Sequence, residues 1–388
     1  MIKRTLGKKI TNLAKKLPII VVTGPRQSGK TTLLKHLFPS FTYVSLEDPD
    51  MRLFAKDDPR GFLDSYKPPV IFDEVQNAPD LFSYLQTISD KINKPGQFIL
   101  SGSQNFLLLE KVSQSLAGRA GIVNLFPLSM SELKQSQLLS GNLEKTIFKG
   151  FYPRLWDKKI KPGDWYPSYI QTFLERDVRQ IKQIVNLHLF QKFLKLCAGR
   201  TGQLLNLSSL AIDIGVKHNT IRSWLSVLEA SFVIFLLQPY HGNLNKRLIK
   251  SPKLYFYDTG LVCSLLGITS KEQLTTHPLK GSLFETLIIS EIQKHFYNQG
   301  VTPRHYFLQD KQAYEIDYLW QSGQKFRAVE IKSGQTVTKQ YFANLAYWQK
   351  LGFITPQFSF VVYGGKALQK RRLATVLPWQ KMVALFKS

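Results

Sequence analysis

The 388-residue chain has little cysteine, and it has no long apolar segment. Its two cysteines, Cys197 and Cys263, are too far apart in sequence to indicate a disulfide framework, and they lack metal-ligand spacing, which points to a reducing compartment. The apolar stretch 17–22 is broken by Pro18 and runs into a glycine-rich loop, unlike a signal peptide. The later run 232–237 falls far short of the roughly 20 residues of a membrane span. We therefore expect a cytoplasmic protein with no membrane span.

Acidic residues are also scarce, because 27 Asp and Glu face 52 Lys and Arg, a formal net charge of +25. The basic excess extends along the whole chain and is denser in its second half, so it is not a detachable tail. This distribution favours a polyanion such as DNA as a partner of the second half. A cationic surface with no specific partner is the alternative. The hydrophobic fraction of 44% is globular and excludes wholesale disorder.

A glycine-rich segment between an apolar strand and a predicted helix carries the clearest chemical signal. Residues 24–31, GPRQSGKT, fit the pattern G-x-x-x-x-G-K-[ST], in which backbone N–H groups surround phosphate oxygens at a helix N-terminus. Lys30 is expected to reach the β- and γ-phosphates of ATP, and the Thr31 hydroxyl is expected to bind Mg²⁺. The predicted nucleotide-binding residues are Gly24, Pro25, Arg26, Gln27, Ser28, Gly29, Lys30, Thr31 and Thr32.

Two adjacent acids end a further apolar strand, PVIFDE, and a P-loop needs such a carboxylate from a neighbouring strand. Asp73 is placed to hold Mg²⁺ through water, and Glu74 to polarise the attacking water. A kinase would not need the second acid, so the pair favours hydrolysis. The next strand, FILSGS, ends in small polar residues. Ser103 or Gln104 could contact the γ-phosphate or the water there, and a simple loop start is the alternative.

Four segments in order, TGPRQSGKTTLL, VIFDEVQ, FILSGSQNFLL and SLAGRAGIVNLFPLSMSEL, resemble a group of prokaryotic ATPases. These ATPases join an AAA-type P-loop domain to a C-terminal domain of unknown function, DUF4143, and are related to archaeal AAA ATPases. The segments GFYPRL, TFLERDVRQI and GSLFETLI follow in the expected order, so the likeness covers nearly the whole chain. The resemblance implies an AAA-like core with a glutamate-bearing Walker B strand.

Arg119 follows the helix after the third motif and directly precedes the fifth predicted strand. The resemblance implies that an arginine at this place acts on the γ-phosphate of a neighbouring subunit, which would make the active form a homo-oligomer. A planar, permanently charged guanidinium suits that task. Arg119 could instead interact electrostatically with the C-terminus of its helix. Arg176 and Arg179 are alternative phosphate sensors, although alternating charges on a helix usually form a solvated face.

Residues 207–229 resemble a helix-turn-helix, with Ser208 as a candidate helix cap and Gly215 at the turn. The strand predicted over 232–238 and the basic segment 245–247 would form a wing. Winged helices in ATPases also serve as packing modules, so DNA contact is one of two interpretations. The candidate DNA-contacting residues are Lys217, His218, Asn219, Thr220 and Arg222, with Lys246 and Arg247 in the wing.

A third constellation lies in the last hundred residues. Glu285 is on a predicted helix, Asp317 is in a predicted strand, and Glu330 and Lys332 end the next strand on one face, because side-chain direction repeats every two residues. Asp317 and Glu330 could hold Mg²⁺ while Lys332 positions a water. This order resembles the PD-(D/E)xK nuclease core, with Glu285 as its helix acid, although the Pro-Asp dipeptide is missing because Glu315-Ile316-Asp317 stands there. An inactive scaffold of the same fold is the alternative.

Together these patterns predict an α/β protein: an AAA-like P-loop parallel sheet with a helical lid, a winged-helix segment and a PD-(D/E)xK nuclease-like α/β domain. The predicted boundaries are 1–200, 201–275 and 276–388. The expected function is a Mg²⁺-dependent ATPase that binds and acts on DNA, with nuclease activity left open. The alternative is a nucleotide-dependent switch or scaffold for a protein partner, with an inactive nuclease-like domain.

Overall fold

The computed structural model describes residues 2–103, 116–178, 186–242, 249–302, 304–323 and 325–386. Four side chains within these ranges are not described, namely those of Glu175, Arg176, Asp177 and Ser322. Several predicted features therefore lie outside the described residues: Gln104, most of the helix 106–116, the side chain of Arg176, Arg179, Lys246 and Arg247.

The chain forms two compact units. The first comprises Met1–Leu128, Ala230–Phe232 and Lys294–Thr302, and the second comprises Ser129–Glu229, Val233–Gln293 and Pro303–Ser388. The division into three domains at residues 200 and 275 stays a prediction.

The first unit contains a five-stranded sheet in the order β2-β3-β4-β1-β5, and all its described pairings are parallel. The predicted parallel α/β architecture is confirmed. The strands are β1 Ile19–Thr23, β2 Thr42–Ser45, β3 Val70–Asp73, β4 Phe98–Gly102 and β5 Ala120–Asn124. The helices are α1 Gly7–Ala14, α2 Lys30–Leu37, α3 Pro49–Asp57, α4 Pro59–Ser65 and α5 Leu81–Ile92.

Both faces of this sheet are covered, as burial of a parallel sheet requires. Successive side chains of β1 point to opposite faces, so Ile19 and Val21 belong to one apolar core while Ile20 and Val22 belong to the other. The core on the second face also contains Leu6 of the segment that begins α1. The sheet is thus a rigid platform whose strand ends can hold a site.

The carboxyl ends of the parallel strands lie at one edge, where β1 leads into the glycine-rich loop and β3 ends at Asp73. The strand bearing this acid is not the immediate neighbour of β1, because β4 lies between them. The expectation of a carboxylate from a neighbouring strand was wrong in this respect. The intervening β4 brings its own hydroxyl, Ser101, between the loop and the acid.

The second unit begins with helices and continues into a three-stranded antiparallel sheet in the order β6-β8-β7. Its helices are α6 Met130–Gln135, α7 Leu143–Lys149, α8 Pro153–Asp157, α9 Pro162–Thr172, α10 Leu187–Gly199, α11 Leu207–Ile214, α12 His218–Ala230 and α13 Thr259–Leu265. A π-helical turn, Phe173–Val178, follows α9. The strands are β6 Gln203–Leu204, β7 Ile234–Leu237 and β8 Lys253–Phe256.

The turn between α11 and α12 forms at the predicted glycine. Gly215 has a φ of 83°, a left-handed conformation in which a residue without Cβ is unstrained. The predicted cap was wrong, because Asn206 rather than Ser208 caps α11, with Asn206 Oδ1 accepting from Ser209 N at 3.0 Å. The asparagine one residue before the helix reaches its unpaired N–H groups.

The C-terminal part of this unit is a six-stranded mixed sheet in the order β13-β14-β12-β11-β10-β9. β9, β10 and β11 are antiparallel, whereas β12 runs parallel to β11. The strands are β9 His305–Gln309, β10 Glu315–Ser322, β11 Lys325–Lys332, β12 Ser359–Tyr363, β13 Gln369–Lys370 and β14 Thr375–Pro378, and the helices are α14 Lys280–Asn298 and α15 Ala343–Lys350. Among the helices that the structure describes, none is both long and apolar enough to cross a membrane.

Candidate functional site

The glycine-rich loop has a shape that only glycine permits at its first position. Gly24 has a φ of 146°, and a Cβ built there would lie 2.1 Å from the Leu125 carbonyl oxygen. Lys30 is buried at the start of α2, and its Nζ donates hydrogen bonds to the carbonyl oxygens of Gly24 at 2.9 Å and Pro25 at 3.0 Å. The ammonium group therefore lies inside the loop that the sequence assigned to phosphate.

Asp73 is the centre of a hydroxyl network at the end of β3. Thr31 Oγ1 donates to Asp73 Oδ2 at 2.6 Å, Tyr43 OH donates to the same oxygen at 2.9 Å, and Ser101 Oγ donates to Oδ1. Burial, and next the charge of Asp73, raise the pKa of Tyr43, so its hydroxyl stays a donor. The structure thus brings Thr31 and Asp73 together as the sequence predicted. Sequence reasoning missed Tyr43, whose strand pairs with β3.

Glu74 lies beside this network in a conformation that is uncommon for a residue with a side chain, with a φ of 55°. Its Oε2 accepts hydrogen bonds from Ser103 Oγ at 3.0 Å, from Ser103 N at 3.2 Å and from Gln76 Nε2. The predicted residues Glu74 and Ser103 are therefore in contact. Gln76 was missed, although it lies only two residues beyond the acid.

Arg119 precedes β5 as expected, and its guanidinium is paired within the same chain. Its Nε lies 2.5 Å from Asp90 Oδ1, and its second terminal nitrogen lies 3.0 Å from Asp90 Oδ2. Asp90 belongs to α5, so the pair joins two elements distant in sequence. The hydrogen bond from Arg119 lowers the pKa of Asp90, and both side chains are partly exposed.

The candidate DNA-contacting residues lie in and just before the first two turns of α12. Lys217, His218, Asn219 and Arg222 are exposed and Thr220 is half-buried, whereas Trp224 on the other face is buried. A groove of about 750 Å³ runs beside this helix. Its polar lining includes His218, Arg222, Ser226, Glu229 and Lys250.

The predicted acids and lysine of the C-terminal sheet converge. Lys332 Nζ lies 2.7 Å from Glu330 Oε1 and 3.8 Å from Asp317 Oδ2, and Asp317 Oδ2 accepts from Ile331 N at 2.6 Å. Oxygens of Glu285, Glu315 and Asp317 all lie within 4.8 Å of one another. We call these four carboxylates, Glu285, Glu315, Asp317 and Glu330, the acid cluster.

Two further residues enter the acid cluster from β8. Lys253 Nζ lies 3.4 Å from Glu285 Oε1 and donates to Glu315 Oε1, and Tyr255 OH donates to Glu285 Oε1. No sequence motif joins Lys253 to the acids, because β8 precedes the helix acid Glu285 by about thirty residues. The single available signal is the spacing of two, which places Lys253 and Tyr255 on the same face of a strand.

Burial governs the protonation of the acid cluster. It raises the pKa of Glu330 to about 8 and that of Glu315 to about 7, and the nearby charge of Asp317 adds to both shifts. Burial also raises the pKa of Glu285. Burial alone would lower the pKa of Lys253, but the charges of Glu285 and Glu315 outweigh it and raise that pKa. Crowded, desolvated carboxylates of this kind favour a cation among them.

Sequence comparison places known families on these units. The profile of an AAA domain matches residues 16–134, that of a domain of unknown function, DUF8612, matches 140–272, and that of a domain of unknown function, DUF4143, matches 280–382. The chain thus combines an AAA-type P-loop ATPase domain with a DUF4143 domain. Hydrolysis of ATP is its reaction, and the resemblance noted in the sequence is confirmed.

Two uncharacterized proteins illustrate the similarity. One from Mycobacterium tuberculosis is 29% identical over 340 residues, 86% of this ATPase and 74% of the relative. One from Methanocaldococcus jannaschii is 25% identical over 308 residues, 66% of this ATPase and 63% of the relative.

Solved structures resemble the ATPase more distantly. The Walker-type ATPase of Pyrococcus abyssi has 13% identity and a TM-score of 0.46, covering 68% of this ATPase and 96% of that chain. DnaA from Aquifex aeolicus bound to AMPPCP has 17% identity and a TM-score of 0.30, covering 58% and 85%.

Proposed function

We propose that this ATPase requires Mg²⁺, binds DNA through the exposed face at the start of α12 and acts on it with a metal-dependent C-terminal site. The observation that carries the DNA part is the exposed cationic and polar face at the start of α12, which includes Lys217 and Arg222. It adjoins a groove to which Arg222 and Lys250 both contribute. The dense basic charge of the second half supplies the long-range attraction that a polyanion needs.

The nucleotide site has the donors that Mg²⁺ prefers. Thr31 Oγ1 and the Asp73 carboxylate are hard oxygens held 2.6 Å apart, and Ser101 and Tyr43 orient that carboxylate. They would hold the ion, which supplies positive charge against the phosphate oxygens of ATP. Glu74 would orient and polarise the attacking water, because its carboxylate is fixed by Ser103 at the same edge of the sheet.

DNA binding is expected to weaken steeply with salt and to depend on α12. Each phosphate neutralised by a lysine or arginine releases condensed counterions. Each such contact contributes about 0.9 to the magnitude of the slope of log affinity against log salt concentration. Lys217→Ala with Arg222→Ala should therefore reduce the slope by about 2 and the affinity at low salt by roughly 10-fold to 100-fold. Fluorescence anisotropy of a labelled duplex, titrated at salt concentrations from about 50 to 200 mM, would measure the affinity and the slope.

The matched control for this experiment removes two exposed lysines elsewhere in the same unit. Lys350→Ala with Lys370→Ala has the same change in net charge, and both side chains are exposed. It should leave the affinity and slope close to those of the parent. An equal loss in both double variants would mean that only net charge matters, and binding that is absent or insensitive to salt would contradict the proposal.

The acid cluster has the donor set of a divalent-cation site. Glu330 is 1% exposed, and within the part of the chain that the structure describes its Oε2 makes no hydrogen bond. A buried carboxylate oxygen without a partner is costly, and an ion would satisfy it. Asp317 and Glu330 would hold the ion, which activates a water when bound, while Lys332 would stabilise negative charge that develops on phosphate.

Cleavage of DNA in Mg²⁺ or Mn²⁺ is expected to require Asp317. Asp317→Asn should lower the cleavage of single- and double-stranded DNA at least about 100-fold, because the loss of one ligand charge weakens the binding of the metal ion. It should leave ATP hydrolysis intact. Glu272→Gln, an exposed carboxyl change in the same unit, is the control and should cut like the parent. Gel assays of both substrates measure this, and equal cutting by Asp317→Asn and the parent would contradict the assignment.

A second function is favoured by one observation. Lys253 is held by Glu285 and Glu315, two carboxylates of the acid cluster, and a cation already in the cluster suits a nuclease-like domain kept inactive. In that case the chain is a nucleotide-dependent switch or scaffold for a protein partner. No cleavage by the parent under any divalent ion, together with salt-insensitive DNA binding, would favour it.

A further inference from the structure

Lys253 occupies the interior of the acid cluster although it comes from a different sheet. Its side chain is 6% exposed, compared with 33% for Lys332, the lysine that the nuclease-like pattern predicts. It is held by Glu285 and Glu315, and Tyr255 on the same face of β8 donates to the same oxygen of Glu285. The cluster is thus closed by two side chains of the middle sheet.

The carboxylates that hold Lys253 belong to the group of three acids that includes Asp317 and could hold a metal ion together. Glu285 and Glu315 are two of the three acids whose oxygens lie within 4.8 Å of one another, and both accept hydrogen bonds from the Lys253 ammonium group. Mg²⁺ requires oxygens at about 2.0–2.1 Å, far closer than an ammonium nitrogen approaches. An ion and the Lys253 ammonium therefore cannot share these carboxylates at full occupancy.

The acid cluster has more negative than positive groups, so its carboxylates need a cation among them. Four carboxylates surround two ammonium groups, Lys253 and Lys332, so the fully ionised cluster carries two excess negative charges. Removal of one buried cation leaves carboxylates without compensation, which is strongly unfavourable unless another cation replaces it. Loss of Lys253 should therefore increase the attraction for a divalent ion.

We infer that Lys253 is an internal cation that competes with a divalent metal ion for the acid cluster. The cluster has a lysine-filled state and a metal-filled state, and Lys253 is a positioning residue that sets the metal affinity. This inference rests on the metal site proposed for the C-terminal sheet. It assigns to β8 a role in that site, in addition to its place in the three-stranded sheet.

Lys253 lies close in sequence to a residue that forms a hydrogen bond with β9. Tyr240 N donates to the Phe307 carbonyl oxygen at 2.7 Å, and Ile249 N donates to the Gln309 carbonyl oxygen at 3.1 Å, so both residues pair with β9. Lys253 follows within four residues of Ile249.

The test measures Mn²⁺ binding to the full-length chain without nucleotide, by calorimetry and by the electron paramagnetic resonance signal of free Mn²⁺. Lys253→Met keeps most of the length of the side chain and removes its charge. It should bind Mn²⁺ at least about tenfold more tightly than the parent, and Mn²⁺ should raise its melting temperature more than that of the parent. Lys370→Met, which changes an exposed lysine of β13 outside the acid cluster, is the control and should match the parent.

The outcomes separate the inference from the metal site itself. Tighter binding by Lys253→Met that disappears when Asp317→Asn is added supports both. Equal binding by the parent and Lys253→Met, lost in Asp317→Asn, overturns the inference and leaves the metal site standing. Absence of binding in both proteins overturns the metal site and the inference with it, while DNA binding and ATP hydrolysis are unaffected.

Instability of the variant is also decisive. If Lys253→Met is unfolded without metal and folds when Mn²⁺ is added, the ion replaces the lysine and the inference is supported. If it stays unfolded in Mn²⁺ while Lys253→Met with Glu315→Gln folds, and that double variant binds Mn²⁺ no more tightly than the parent, Lys253 is a structural counterion and the inference is overturned.

Discussion

Glu74→Gln is expected to bind ATP normally and to hydrolyse it at least about 100-fold more slowly than the parent, the range of a lost general base. The amide has the same shape as the carboxylate and can keep a hydrogen bond to Ser103, which donates to Glu74 Oε2 at 3.0 Å. It cannot polarise water as a charged oxygen does. Phosphate release and binding of a fluorescent ATP analogue measure the two properties separately.

Lys30→Ala is expected to fail at the earlier step. Lys30 Nζ lies within the glycine-rich loop, 2.9 Å from the Gly24 carbonyl oxygen, so its loss removes the positive charge at the phosphate position. Binding of the analogue should fall with hydrolysis. Asp80→Asn, an exposed carboxyl change between β3 and α5, is the control for both variants and should behave as the parent. Parental turnover by Glu74→Gln would show that another group polarises the water.

Arg119→Ala is expected to lower ATP turnover about 10³-fold or more if the guanidinium acts on a neighbouring subunit, the usual effect of such an arginine. The ion pair between Arg119 and Asp90 provides a control for this prediction. Asp90→Asn breaks the same ion pair and keeps the guanidinium, and the loss of an exposed pair of this kind has little effect on stability. Asp90→Asn should therefore keep turnover near that of the parent.

A mixing experiment tests action between subunits. Arg119→Ala and Lys30→Ala are each expected to be inactive alone, but mixed oligomers contain some sites with an intact loop and an intact neighbouring arginine. Steady-state phosphate release should therefore recover in the mixture and should rise with protein concentration. Equal loss in Asp90→Asn and Arg119→Ala, no recovery on mixing, and a monomer by sedimentation would assign Arg119 to its own domain.

The nucleotide site could be predicted from the sequence because its residues lie in short segments with fixed spacing. The glycine-rich loop needs residues at fixed short spacing, and Gly24 and Gly29 adopt the positive φ values that their positions demand. Acids at the end of an apolar strand reach the same edge of a parallel sheet wherever that strand lies in the order. This is why Asp73 meets Thr31 although β4 intervenes.

The sequence by itself determined the ATPase chemistry, the parallel sheet and the order of the acids Glu285, Asp317 and Glu330 along the chain. Only the tertiary structure decided which cations and hydroxyls face them. Lys253 and Glu315 are 62 residues apart, and Arg119 and Asp90 are 29 apart, so no local spacing marks either pair. Such partners are selected by the packing of whole sheets and helices, in which a buried charge must find an opposite charge wherever the fold brings one.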